Sequence, residues 1–289
     1  MNKIKYDFVT LEGLEIFYRE AGFSNKPTLL LLHGFPTSSH MFRNLINDLS
    51  DHYHVIAPDY PGYGNSSMPS NKEFEYSFDN LANIVEKFII AKELKKFSLY
   101  VMDYGAPIGF RVASNNPERI ESLLIQNGNA YVDGLSSFWE PVKAFWENPE
   151  KEEHIKFINS MSDLQATKWQ YLTGVRDVSS ISPDAWIVDQ AGLDRPGNLD
   201  IQFDLFYSYR TNLPLYPKWQ EYFKKFQPPT LIMWGTGDEI FPQSGAMAYR
   251  KDLPDAQIHL LNTGHFALEE DGPVIASLIL NFLEKNNIK

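Results

Sequence analysis

Five short apolar runs in the first 125 residues, spaced by longer segments of helical periodicity, constrain this chain more than anything else in it. Leu14–Arg19, Thr28–Leu32, Val55–Ala57, Phe97–Val101 and Ser122–Ile125 read as strands. Helix-period segments over Ser39–Leu49, Phe78–Glu93 and Pro107–Asn115 separate the last four of them. In the second segment Phe78, Leu81, Val85, Phe88 and Ile89 recur at three- and four-residue steps, an amphipathic stripe. Strand and helix in alternation predict an α/β domain of parallel βαβ units with right-handed crossovers. The rhythm breaks near Asn127, and up to about Gln227 the chain is helix-like and dense in aromatics. Pro228-Pro229 then punctuates it, Thr230–Trp234 and Gln257–Leu261 restore the strand pattern, and Pro273–Leu283 reads as a last helix. The expected organisation is a core domain, residues 1–127 and 228–289, with a helical cap or lid, residues 128–227, inserted into it.

Composition narrows the classes of function. Hydrophobic residues make up 43% of the 289, enough for a substantial core. The net charge of -11, with no basic run, gives no electrostatic support for binding nucleic acid or an anionic membrane. With no cysteine, disulfides, thiolate metal sites and cysteine nucleophiles are excluded. Met1–Asp7 lacks an apolar signal core, and Leu29–Leu32 is too short to span a bilayer. The expectation is a cytoplasmic monomer or homodimer. No H-E-x-x-H spacing occurs, so neither a metal nor an organic cofactor is implied.

The chemistry should gather at the carboxyl ends of the strands. After the strand ending at Val101 comes Met102-Asp103-Tyr104-Gly105-Ala106-Pro107, leading into a helix. A strand, one polar residue, a small residue and a helix is the arrangement of a nucleophile elbow. Taken alone, Asp103 could equally be a helix cap. Two further strand ends place Asp238 on a Gly-rich loop and His265 after the last strand. Nucleophile, acid and histidine in that order is the chain order of a hydrolase triad. Turn and packing readings exist for each residue singly, but three such residues at three expected positions point to one site. His33-Gly34-Phe35-Pro36 follows a buried strand, and the N–H of Phe35 with that of Tyr104 would form an oxyanion hole. His33 reads as a residue that orders this loop by hydrogen bonding. Asp59-Tyr60-Pro61-Gly62-Tyr63-Gly64 lacks the third glycine of a dinucleotide loop and reads as pocket wall.

Together these segments resemble the α/β-hydrolase superfamily from about Leu14 to Leu283, and the Val101-Met102-Asp103-Tyr104-Gly105 elbow is similar to its epoxide hydrolase and haloalkane dehalogenase branch. The resemblance implies an α/β-hydrolase fold: a mostly parallel, eight-stranded sheet flanked by helices, with an inserted helical lid. It implies that Asp103 attacks carbon to form an ester, which His265, oriented by Asp238, hydrolyses with water. The alternative acid position of the family holds Asn127, which cannot carry charge. Dehalogenases of the branch need halide donors, commonly at the positions where Phe35 and Tyr104 stand here, or from a Trp elsewhere. Epoxide hydrolases need lid tyrosines; Tyr209 before Arg210 matches one, while Ser137–Asn148 contains no Tyr to match the other. The pocket is expected to include His33, Pro36, Trp139, Trp146, Trp169, Tyr171 and Phe266 and to take a small apolar or aromatic substrate. Epoxide hydrolysis to a vicinal diol is the first reading, and haloalkane dehalogenation the second. A non-catalytic small-molecule receptor on the same fold is the third.

Overall fold

The structure, a computed structural model, describes residues 3–288. Its strands are β1 (Lys5–Leu11), β2 (Leu14–Ala21), β3 (Thr28–Leu32), β4 (His54–Pro58), β5 (Phe97–Met102), β6 (Ile120–Gln126), β7 (Thr230–Gly235) and β8 (Gln257–Leu261). They form one eight-stranded sheet in the order β1-β2-β4-β3-β5-β6-β7-β8. β2 runs antiparallel to β1 and β4, and every other pairing is parallel. β3, β4, β5 and β7 are buried at every position, which is why they read as continuous apolar runs. β1 is the strand that no apolar run marks. It pairs on one side only and leaves Tyr6 and Phe8 exposed, so its polar residues face water.

The helices of the core domain are α1 (Arg43–Leu49), α2 (Phe78–Ala91), α3 (Gly105–Asn115), α10 (Gln243–Ala248) and α11 (Ala267–Lys285). Ser77 accepts the Asn80 N–H and starts α2, whose Leu81, Val85, Phe88 and Ile89 pack on one face of the sheet. Leu45, Ile46 and Leu49 of α1 and Ile275, Ile279 and Leu283 of α11 cover the other face. α11 begins six residues before the predicted Pro273, because the proline only kinks it: Asp271 leaves helical geometry at φ -113°.

Between β6 and β7 every α or β element described is a helix: α4 (Trp139–Glu147), α5 (Glu152–Ser160), α6 (Leu164–Leu172), α7 (Pro183–Leu193), α8 (Asn198–Ser208) and α9 (Tyr216–Phe226). Polar junctions that include two arginines tie this helical layer to the core domain. Arg176 holds Asp271 through both terminal nitrogens. The buried Arg111 of α3 donates from Nη1 to Asn212 Oδ1 at 2.7 Å and to the Pro107 carbonyl at 3.0 Å, and from Nε to Asp79 at 2.5 Å. Replacing Arg111 by Leu leaves Asn212 buried without that donor. We expect a stability loss of about 2–3 kcal/mol, the scale of charge-assisted hydrogen bonds, read by denaturant unfolding, with cleavage by protease starting near residue 212.

Candidate active site

β5 ends at Met102 and α3 begins at Gly105, so the chain must reverse direction within Asp103 and Tyr104. It does so by putting Asp103 in the left-handed region at φ 50°, a conformation that costs a non-glycine residue about 1–3 kcal/mol. Two glycines make the turn possible. A Cβ on Gly105 would lie 2.2 Å from the carbonyl oxygen of Leu32, and one on Gly34 would lie 2.5 Å from the Cβ of Asp103. The β3 loop therefore presses directly on the elbow. Phe35 N–H donates to Asp103 Oδ1 at 2.7 Å, and the Tyr104 N–H also bonds this carboxylate. Oδ1 is thereby pinned, and Oδ2 faces His265.

His265 Nε2 lies 3.7 Å from Asp103 Oδ2, and its Nδ1 is 2.6 Å from Asp238 Oδ2. In its neutral form, with Nδ1–H donated to Asp238, His265 carries its lone pair on Nε2, which is buried and has no hydrogen-bond partner among the described residues. Asp238 is itself immobilised: Oδ1 accepts the N–H groups of Ile240 and Phe241, and Oδ2 accepts Asn127 Nδ2 at 2.7 Å. Sequence reading noted only that Asn127 is neutral. The structure makes it a bracket, with φ 42° and a second bond from Gly235 N–H at 2.9 Å. Gln126 donates to the His265 carbonyl, fixing the histidine loop from below.

Burial raises the Asp103 carboxyl above the usual carboxylate range, against the opposing pull of His265 and the two N–H groups. Burial disfavours the imidazolium of His265, yet the charge and hydrogen bond of Asp238, helped by Asp103, hold its pKa above the ordinary histidine value. His33 is different in kind. Desolvation lowers it to about 4. Its Nδ1 donates to the Gly34 carbonyl while Nε2 accepts the Tyr60 N–H, so it is a neutral strut of the loop.

A narrow, mainly apolar cavity opens beside Asp103, lined by Phe35, Tyr104, Phe138, Trp139, Met161, Ala166, Trp169, Gln170, Phe206 and Ile240. Trp139 and Trp169 thus stand where sequence placed them. Five other expected pocket residues do not line this cavity. His33 is fully buried behind the loop, and Pro36 faces a separate polar cavity at the lid junction. The Trp146 indole N–H is spent on the Phe206 carbonyl. Tyr171 stacks on Phe266 at 4.0 Å and its hydroxyl bonds Asp189, which holds both rings in the packing beneath. Tyr209, expected as a lid acid, also lies outside the lining: its ring packs on Trp139 and Trp146, and its hydroxyl pairs with that of Tyr216. Phe138, Met161, Ala166, Gln170, Phe206 and Ile240 went unmarked, since separate lid helices and loops bring them together.

Among the described residues no group of three or more His, Asp or Glu side chains is placed to hold a metal ion. No described helix is long and apolar enough to cross a membrane. Residues 27–272 match the family model of the alpha/beta hydrolase fold. The chain belongs to the α/β-hydrolase family. It is 41% identical to an uncharacterized hydrolase of Saccharomyces cerevisiae over 278 residues, covering 95% of both chains. It is 28% identical to a haloalkane dehalogenase of Mycolicibacterium paratuberculosis, covering 93% of this chain and 87% of that one. To epoxide hydrolase 3 of Mus musculus it is 27% identical, covering 89% and 71%. This α/β-hydrolase therefore has similarity to both activities of the branch.

Because Asp238 is what raises His265, Asp238→Asn should let the imidazole lose its proton at lower pH. NMR titration of the His265 ring is expected to show a midpoint lower by about one unit or more, the scale of losing an adjacent opposite charge.

Proposed function

We propose that this α/β-hydrolase works through a covalent ester on Asp103 and that its substrate is a small, mainly apolar epoxide, opened to a vicinal diol. The observation that supports the covalent step best is the division of labour within one carboxylate. Oδ1 accepts the Phe35 N–H at 2.7 Å, the Tyr104 N–H also bonds the carboxylate, and Oδ2 lies 3.7 Å from His265 Nε2. Oδ2 forms the bond to an epoxide carbon as the ring C–O bond breaks. His265 then takes a proton from a water that attacks Cγ of Asp103. The negative charge develops on Oδ1, where the Phe35 N–H already points, with the Tyr104 N–H bonded to the same carboxyl group. Collapse expels the alkoxide, which keeps one proton of the water. The other stays on His265.

Ester formation also prepares its own hydrolysis. The charge on Asp103 helps to keep His265 protonated, and alkylation removes that charge. The imidazole becomes a free base more readily in the intermediate than before it.

The opening ring oxygen needs a proton. The Tyr104 hydroxyl belongs to a residue lining the cavity, is buried, and has no partner among the described residues. Burial raises its pKa well above the ordinary phenol, so it holds the proton until an alkoxide forms. We assign it the role that sequence gave to Tyr209; the proton left on His265 restores it through water. Dehalogenation remains the second reading on a specific observation: Trp169 lines the cavity, and its indole N–H bonds nothing among the described residues.

His265→Gln incubated with terminal epoxides and 1-bromoalkanes should gain the substrate mass on Asp103 in intact-protein spectra. Asp103→Ala should gain none, and full activity in that variant ends the covalent reading. Tyr104→Phe should lower epoxide turnover by about 100-fold, the scale of a lost general acid, and leave any bromoalkane turnover far less affected. Equal losses would remove Tyr104 as the acid.

A further inference from the structure

Four glutamines of this chain are buried: Gln126, Gln170, Gln190 and Gln202. Three of them are satisfied at both ends of the amide. Gln126 accepts from the Tyr100 hydroxyl and donates to the His265 carbonyl. Gln190 accepts from Thr167 and donates to the Ser162 carbonyl, and Gln202 accepts from Tyr63 and donates to Asn198. Gln170 is satisfied at neither. It is 7% exposed, lines the cavity beside Asp103, and its side chain makes no hydrogen bond among the described residues.

An amide with no protein partner at the wall of a cavity is open to a ligand group that both donates and accepts. The neighbours sharpen the point. The side chains of Phe138, Met161 and Ala166 in the same lining are apolar, and the Trp139 indole N–H is already given to the Ile240 carbonyl. Gln170 sits on α6 of the lid, whereas Asp103 sits on the elbow, so the two polar groups belong to different layers of the molecule. A molecule lying between them meets the reacting carboxylate at one end and an amide at the other.

We propose that Gln170 is a substrate-recognition residue and that the substrate carries a hydroxyl group on the chain remote from its reacting carbon. A hydroxyl both donates and accepts, as the free amide does, and it is a small group suited to a narrow cavity. The inference rests on the covalent reading above but not on the nature of the leaving group.

The test uses shape-matched pairs: ω-hydroxy-1,2-epoxides of four to seven carbons against the 1,2-epoxides in which a methyl replaces the hydroxyl. The same pairs are built on 1-bromoalkanes. Wild type should favour the best hydroxyl compound by about tenfold or more in kcat/KM, the worth of a hydrogen bond in a site otherwise left unpaired. Gln170→Met should erase that preference, with a wild-type circular dichroism spectrum and a cooperative thermal transition showing that the variant is folded. Gln170→Leu should do the same. Adduct formation on His265→Gln is measured with every compound. Adducts without hydroxyl preference, or a preference that survives in Gln170→Met, overturn the role of Gln170 and leave the covalent reading standing. No adduct from any compound overturns both.

Discussion

A carboxylate and an imidazole both removed from water, with their nearest nitrogen and oxygen 3.7 Å apart, set the terms for the rest of this molecule. Neither charge is solvated, so each must be stabilised by fixed protein groups. Asp103 obtains two backbone N–H donors, and obtaining them forces its own backbone into a left-handed turn and requires glycine at positions 34 and 105. His265 obtains Asp238, and Asp238 in turn needs Ile240, Phe241 and Asn127 to hold it. Each requirement is met at the end of a different strand. The parallel sheet matters because it delivers the ends of β3, β5, β6, β7 and β8 to one edge.

This dependence explains why the core was legible in sequence. Fully buried strands leave apolar runs, and the groups at their ends follow within a few residues. Asp103, Asp238 and Phe35 could be placed from such runs and His265 from the half-buried β8, and the structure brings them together. β1 escaped because an edge strand with one wet side has no need of a continuous apolar stretch.

The lid was legible only as a class. Its aromatics announce a packed helical layer, but they do not say which ring faces the cavity and which faces another ring. Trp139 and Trp169 reach the cavity, while Trp146, Tyr171 and Tyr209 spend their polar atoms on neighbours inside the protein. That choice depends on how helices cross, and crossing leaves no periodic signal in the chain. Asn127 holds Asp238 for a related reason: the neutrality that disqualifies it as an acid suits it to hold one.

The cavity wall draws on the approach to α4, the turn after α5, two turns of α6 and the end of α8. α4, α5 and α8 also pack on one another directly, and Trp169 of α6 stacks on Phe138 beside this space. A molecule occupying it is then a strut as well as a reactant, joining helices that are far apart along the chain. Binding and lid rigidity become two measurements of one free energy, and whatever loosens one of these helices also weakens the grip on the substrate.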